Sequence, residues 1–126
     1  MSMMQGIFLL GRLLMGGYFL LMGAMHMMNR NMLAGYAASK GVPMPMVAVL
    51  GTGLLLLFGG FGILTGFYVQ WALVALIIFL VPVSFMMHAF WMEPDQMKRM
   101  PDQVNFMKNM ALLGAILIFM AMLNPF

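Results

Sequence analysis

Four stretches, at about 6–28, 46–65, 70–91 and 103–123, run almost without charge through a chain of 126 residues. A helix needs about 20 apolar residues to cross the hydrocarbon core of a bilayer, and each stretch is close to that length. Crossing as a helix satisfies the backbone polar groups within the segment, which lipid cannot do. Charged side chains make up 7% of the chain and apolar ones 64%, too few polar groups to cover a water-soluble core. The expected fold is therefore all-α: one domain, residues 1–126, forming an integral membrane bundle of four transmembrane helices.

The links between the stretches carry turn chemistry: Asn29-Arg30-Asn31, Gly41-Val42-Pro43, Gly66-Phe67 and Glu93-Pro94-Asp95. The short turn at 66–69 makes the second and third segments antiparallel neighbours. The longer link before segment two has room for an interfacial helix over Met32–Lys40, closed at Gly41. Met97, Met100, Val104 and Met107 recur at spacings of three or four, so the link after segment three reads as an amphipathic stretch lying in the interface. Pro82 falls inside segment three and is expected to kink it. Glycines crowd segments one and two, including Gly16, Gly23, Gly59 and Gly60, where they would let membrane helices approach closely.

Arg30, Lys40, Lys98, Arg99 and Lys108 all belong to the two polar links, and the opposite side has no basic residue outside the membrane. The positive-inside rule places both links in the cytoplasm and both termini outside. Tyr68 and Trp71 fit one aromatic belt, Tyr36 and Trp91 the other. The start, MSMMQGIFLL, has neither a basic n-region nor a small-residue cleavage site, so the first segment is expected to be retained. The net charge of +3 is a topology signal, and no nucleic-acid partner is expected.

Few residues can carry chemistry. The chain has no cysteine, which excludes disulfides, thiolate ligands and thiol redox steps by its own side chains. Arg12 lies inside the first apolar segment, and no carboxylate precedes Glu93. It either snorkels to the outer headgroups or faces the bundle interior and holds an anion or a carbonyl oxygen; its helical face, shared with Gly16, Phe19, Gly23 and His26, tilts toward the interior. His26 and His88 fall near the same membrane surface. The spacing permits a shared bis-imidazole haem or metal site, or a proton-handling pair at a quinone. Two interfacial histidines bonded to water or loop carbonyls is the simpler reading, because no motif strengthens a haem site. The 20 methionines raise copper(I) binding, but they are spread over nearly every segment and serve better as flexible apolar filler. No metal site is expected from them.

The chain resembles the DoxX family of small bacterial and archaeal membrane proteins. The resemblance rests on His88-Ala89-Phe90-Trp91, Glu93-Pro94, Gln96, and the run from Asn105 to Gly114 that leads into the last helix. Gly11-Arg12-Leu13-Leu14-Met15-Gly16 and the stretch from Ala34 to Pro43 are also similar to the family pattern. Such chains commonly carry an acid early in helix two as a partner for the helix-one arginine. Here that region reads Leu50-Gly51-Thr52-Gly53-Leu54, so Arg12 lacks that partner. The resemblance implies a four-helix bundle in the cytoplasmic membrane. Some members are subunits of thiosulfate:quinone oxidoreductase, and others belong to membrane oxidoreductase assemblies of thiol and oxidative-stress defence.

The resulting expectation is a membrane subunit of a quinone-linked oxidoreductase system. Arg12, His26, His88, Trp91, Gln103, Lys108 and Asn109 would line a polar pocket near the cytoplasmic ends of helices one, three and four. The pocket would hold a quinone headgroup or a small oxyanion; a histidine would exchange the proton and cations would stabilise the reduced oxygen. No electron carrier is recognisable in the chain, so a partner protein would supply electrons, and a homo-oligomer is compatible with the same reading. The alternatives are a non-catalytic membrane anchor or assembly module, and a small-solute transporter, for which segments two and three offer little beyond Thr52, Thr65 and Ser84.

Overall fold

The computed structural model describes residues 1–123. It is all-α, with α1 at Met3–Met28, α2 at Arg30–Ser39, α3 at Pro45–Thr65, α4 at Val69–Met87 and α5 at Gln96–Met122. A short 3-10 turn, Phe90–Met92, lies between α4 and α5. Four of the helices are long and apolar enough to cross a membrane.

Local chemistry sets the ends. The Ser2 hydroxyl accepts from the Gln5 amide at 3.1 Å while the Gln5 side chain accepts from the Ser2 amide at 2.9 Å, a reciprocal cap at the start of α1. Pro45 opens α3, where its missing N–H costs nothing. Gly66, at φ +79°, closes α3 with its N–H on the Gly62 carbonyl at 2.8 Å, and α4 starts three residues later. The interfacial helix expected over Met32–Lys40 runs from Arg30 to Ser39, and Gly41 follows it at φ +82°.

Two boundaries differ from the sequence reading. The third span leaves the α-helix at Met87 rather than 91, so His88 becomes its cap and Trp91 falls in the 3-10 turn. The fourth begins at Gln96 rather than 103, because the Asp95 carboxylate accepts from the Met97 amide at 3.0 Å and caps the helix there. The amphipathic link is thus the first part of α5 itself. At 27 residues α5 is about 40 Å long, some 10 Å more than the hydrocarbon core, so its first turns stand clear of it.

α3 and α4 form the middle of the bundle, and α1 and α5 flank them. A Cβ on Gly16 of α1 would lie 2.9 Å from the Gly60 carbonyl of α3, and one on Gly60 would lie 2.6 Å from the Leu20 nitrogen. The two backbones meet there without side chains between them, the close approach by which helices associate in lipid. On its other side α3 packs closely on α4, where a Cβ on Gly62 would overlap the Ala72 methyl. Phe19, Leu56, Ile63, Leu73, Leu76, Leu80 and Ile116 fill the buried core. Pro82 leaves the Ile78 carbonyl without its usual helical donor. Two residues on, the buried Ser84 hydroxyl donates to the Leu80 carbonyl at 2.6 Å and so satisfies itself within the helix.

Candidate functional site

The expected pocket is not one pocket. Arg12 lies at the opposite end of the bundle from the two histidines. Its Nε donates to the Ile63 carbonyl at 3.1 Å and its Nη2 to the Leu64 carbonyl at 3.0 Å, with the guanidinium 5.7 Å from the Phe8 ring. These are the last carbonyls of α3, where the helix dipole favours a cation. Arg12 therefore finds in the α3 backbone the partner that the missing helix-two acid would have supplied. His26 is 14 residues further along α1, about 21 Å up the helix axis.

At the polar-link end two separate cavities flank Phe79, with Phe79 and Val83 lining both. The larger is an apolar groove of about 550 Å³ bounded by α1, α2, α3 and α4, with His26, Ala37, Thr52, Phe79, Pro82 and Met86 among its walls. The His26 ring stands edge-on to Phe79, with centroids 6.0 Å apart. His26 Nδ1 is 3.0 Å from the Met22 carbonyl. A carbonyl only accepts, so Nδ1 carries the proton and Nε2 keeps its lone pair in the neutral ring. The Thr52 hydroxyl is turned back onto its own helix, on the Ala48 carbonyl at 2.7 Å. His26 Nε2 is thus the uncommitted polar ring atom of a largely apolar wall.

The smaller cavity, about 60 Å³, lies on the other side of Phe79 and is walled by His88, Lys108 and Asn109 together with Tyr18 and Phe19. Asn109 is 6% exposed and its side-chain amide has no hydrogen-bond partner among the described residues. No side-chain nitrogen or oxygen of these residues is sealed off without a partner, so that amide opens into the cavity. Lys108, exposed, likewise has no ion pair or hydrogen bond among the described residues. Tyr18, Phe19, Lys108 and Leu112 continue into an apolar groove of about 370 Å³ between α1 and α5.

Behind His88 is an ionic cluster that the sequence reading missed. Lys40 Nζ is 2.7 Å from Asp102 Oδ2, and His88 Nδ1 is 3.5 Å from Oδ1. Asp102 is 5% exposed. The hydrogen bond to Asp102 holds the Lys40 ammonium above its ordinary pKa. The cluster ties the end of α2, the cap of α4 and the second turn of α5 together. Its signal was the spacing of Asp102, Asn109 and Ile116, seven residues apart and all buried on one face of α5. That face is visible only once the link is read as helix.

Trp91 and Gln103 do not line either cavity. Trp91 is exposed and stands edge-on to Phe90 and Phe106 and tilted against Phe85, in an aromatic group of the kind found in an interfacial belt. Gln103 is exposed on α5. His26 and His88 line different cavities, so the structure does not bring the two imidazoles to one point. Among the described residues no group of three or more His, Asp or Glu side chains is arranged to hold a metal.

The DoxX family model matches residues 7–89, more than half of the chain and the whole of its first three membrane helices from Ile7 onward. The motif from Asn105 to Gly114, which lies within α5, is outside that match. The chain is 28% identical over 113 residues to inner membrane protein YphA of Escherichia coli (strain K12), an alignment that covers 89% of this chain and 79% of that protein. No solved structure matches the chain significantly.

Proposed function

The chain belongs to the DoxX family, and on that premise we propose that it is an inner-membrane subunit of a quinone-linked oxidoreductase, fed with electrons by a partner protein. The inner-membrane location of the YphA relative supports the compartment. The observation that carries the reading is His26. It is an imidazole fixed by the Met22 carbonyl, set against Phe79, in the wall of a 550 Å³ apolar groove. Apolar clefts of roughly 300–1,000 Å³ with a few placed polar groups are the ordinary form of a small-molecule site.

His26, Phe79 and Thr52 would hold the quinone ring, which when bound supplies a carrier of two electrons and two protons. His26 Nε2 accepts a hydrogen bond from a hydroxyl when the imidazole is neutral and donates to a carbonyl when it is protonated. One atom can therefore hold both the reduced and the oxidised ring and exchange a proton with it. His26 lies less than a turn from the end of α1 at the polar-link surface, so the proton has a short route to water. The apolar lining excludes water from the ring face.

The test is to purify the full chain and its His26→Ala variant in detergent, load both with menaquinone and quantify what is retained by solvent extraction. Wild type is expected to retain quinone and the variant to retain about tenfold less, the worth of a hydrogen bond to an ionisable group. Equal retention by the two proteins, or none by wild type, overturns the assignment. A haem band in the absorption spectrum of the same sample would overturn the dependence on a partner for electrons.

A further inference from the structure

The small cavity at Lys108 and Asn109 is chemically unlike the His26 groove, and it calls for a different ligand. We propose that this cavity and the groove between α1 and α5 together form a binding site for an anionic phospholipid. Its phosphate would sit beside Lys108 and Asn109, and one acyl chain would lie along the groove.

Charge is the first argument. Lys40 and Asp102 neutralise each other, which leaves the Lys108 ammonium without a counter-ion in the cluster. The other two acids are committed elsewhere: Glu93 accepts from the Asp95 amide and Asp95 caps α5. One uncompensated cation beside a low-dielectric groove is complemented by a monoanion. The buried Asn109 amide also opens into the cavity with its donors unspent. Lys108 and Asn109 both line this small cavity, so one oxygen held in it can meet both groups.

Shape supplies the second. The polar groups stand at one end only, and the remaining walls, Gly11, Leu14, Met15 and Leu112, are apolar. From Phe19 back to Gly11 the groove follows α1 for about 12 Å toward the opposite membrane face. Lys108 lies about three turns into α5, below the polar-link surface that His88 marks, so its ammonium would meet a headgroup from that side by snorkelling while the apolar channel leads further inward. Basic pockets between transmembrane helices on the cytoplasmic side are a recurring form of anionic headgroup site. A free phosphate would use the head of this site but not its channel.

The experiment measures lipid binding to the full chain in detergent micelles by native mass spectrometry, with phosphatidylglycerol, phosphatidylcholine and inorganic phosphate as probes. Phosphatidylglycerol is expected to bind in preference to the other two. Lys108→Gln is expected to weaken it about fivefold to tenfold, the effect of one basic side chain on an anionic headgroup. Lys108→Arg keeps the charge and is expected to keep the binding, which separates loss of the site from loss of the fold. Lys98→Gln removes the same charge from an exposed position on α5 outside the groove and is expected to change nothing. Equal binding of phosphatidylcholine, binding of phosphate alone, or an equal loss in Lys98→Gln would each overturn the proposal.

Discussion

At the scale of single residues, the polar side chains of this chain divide into those that hold the bundle and those left free to act. Arg12 belongs to the first kind. Sequence alone left it two positions, and the deciding fact, two carbonyls at the end of α3 without helical donors, is a property of the backbone of another helix. Lys40 and Asp102 are also structural. Removing one partner of a buried pair leaves the other as an uncompensated charge, while removing both removes the penalty as well. Lys40→Met is therefore expected to cost about 1–3 kcal/mol, and Lys40→Met with Asp102→Asn to recover most of it, measured by thermal unfolding in detergent. The same pair predicts an alkaline limit. The folded Lys40 has a pKa raised above its ordinary 10.5, so its contribution is complete below that value and is lost as pH rises through the higher, folded one. The stability gap between wild type and Lys40→Met should close in that alkaline window.

At the scale of elements, the four spans were legible because lipid allows so few solutions: about 20 apolar residues without a charge can do little else but cross as a helix. The start of α5 was not legible by the same criterion, since polarity marks the edge of the membrane and not the end of a helix. Gln96 to Asp102 is polar and holds Pro101, yet the Asp95 cap makes it helical. The two cavities were hidden for a related reason. His26 and His88 fall near one surface, but it takes the placement of Phe79 of α4 between the two cavities to separate them. Glycine packing was visible as composition and becomes specific only in the structure. Gly16 and Gly17 are neighbours in α1, yet a Cβ on Gly16 would lie 2.7 Å from the Leu64 nitrogen whereas one on Gly17 would meet nothing within 4 Å. Gly16→Ala must push α1 away from α3 and is expected to lose about 2 kcal/mol or more. Gly17→Ala gains helix propensity and should be neutral or up to about 1 kcal/mol more stable. Equal melting temperatures for the two variants would mean that α1 and α3 are not in backbone contact.

At the scale of the whole molecule, the Lys40–Asp102 pair puts α2 and the start of α5 at one end of the bundle, while Arg12 and the α3–α4 turn mark the other. Both polar links therefore share a membrane face, and five of the six basic residues stand on or near it. Positive charge resists translocation, so that face is expected to be the cytoplasmic one. The orientation bears on the two proposals, because it would set which compartment exchanges protons with a quinone at His26 and which leaflet would supply a lipid at Lys108. The absence of cysteine makes it directly testable, since any single cysteine introduced is the only thiol in the chain. Ser39→Cys reports the polar-link face and Phe67→Cys the α3–α4 turn, and both positions are exposed. In intact spheroplasts a membrane-impermeant maleimide is expected to label Phe67→Cys at once and Ser39→Cys only after lysis. The reverse pattern would turn the bundle over, move the proton exchange of His26 to the outer compartment, and leave the positive charge to be explained by a partner that holds it there.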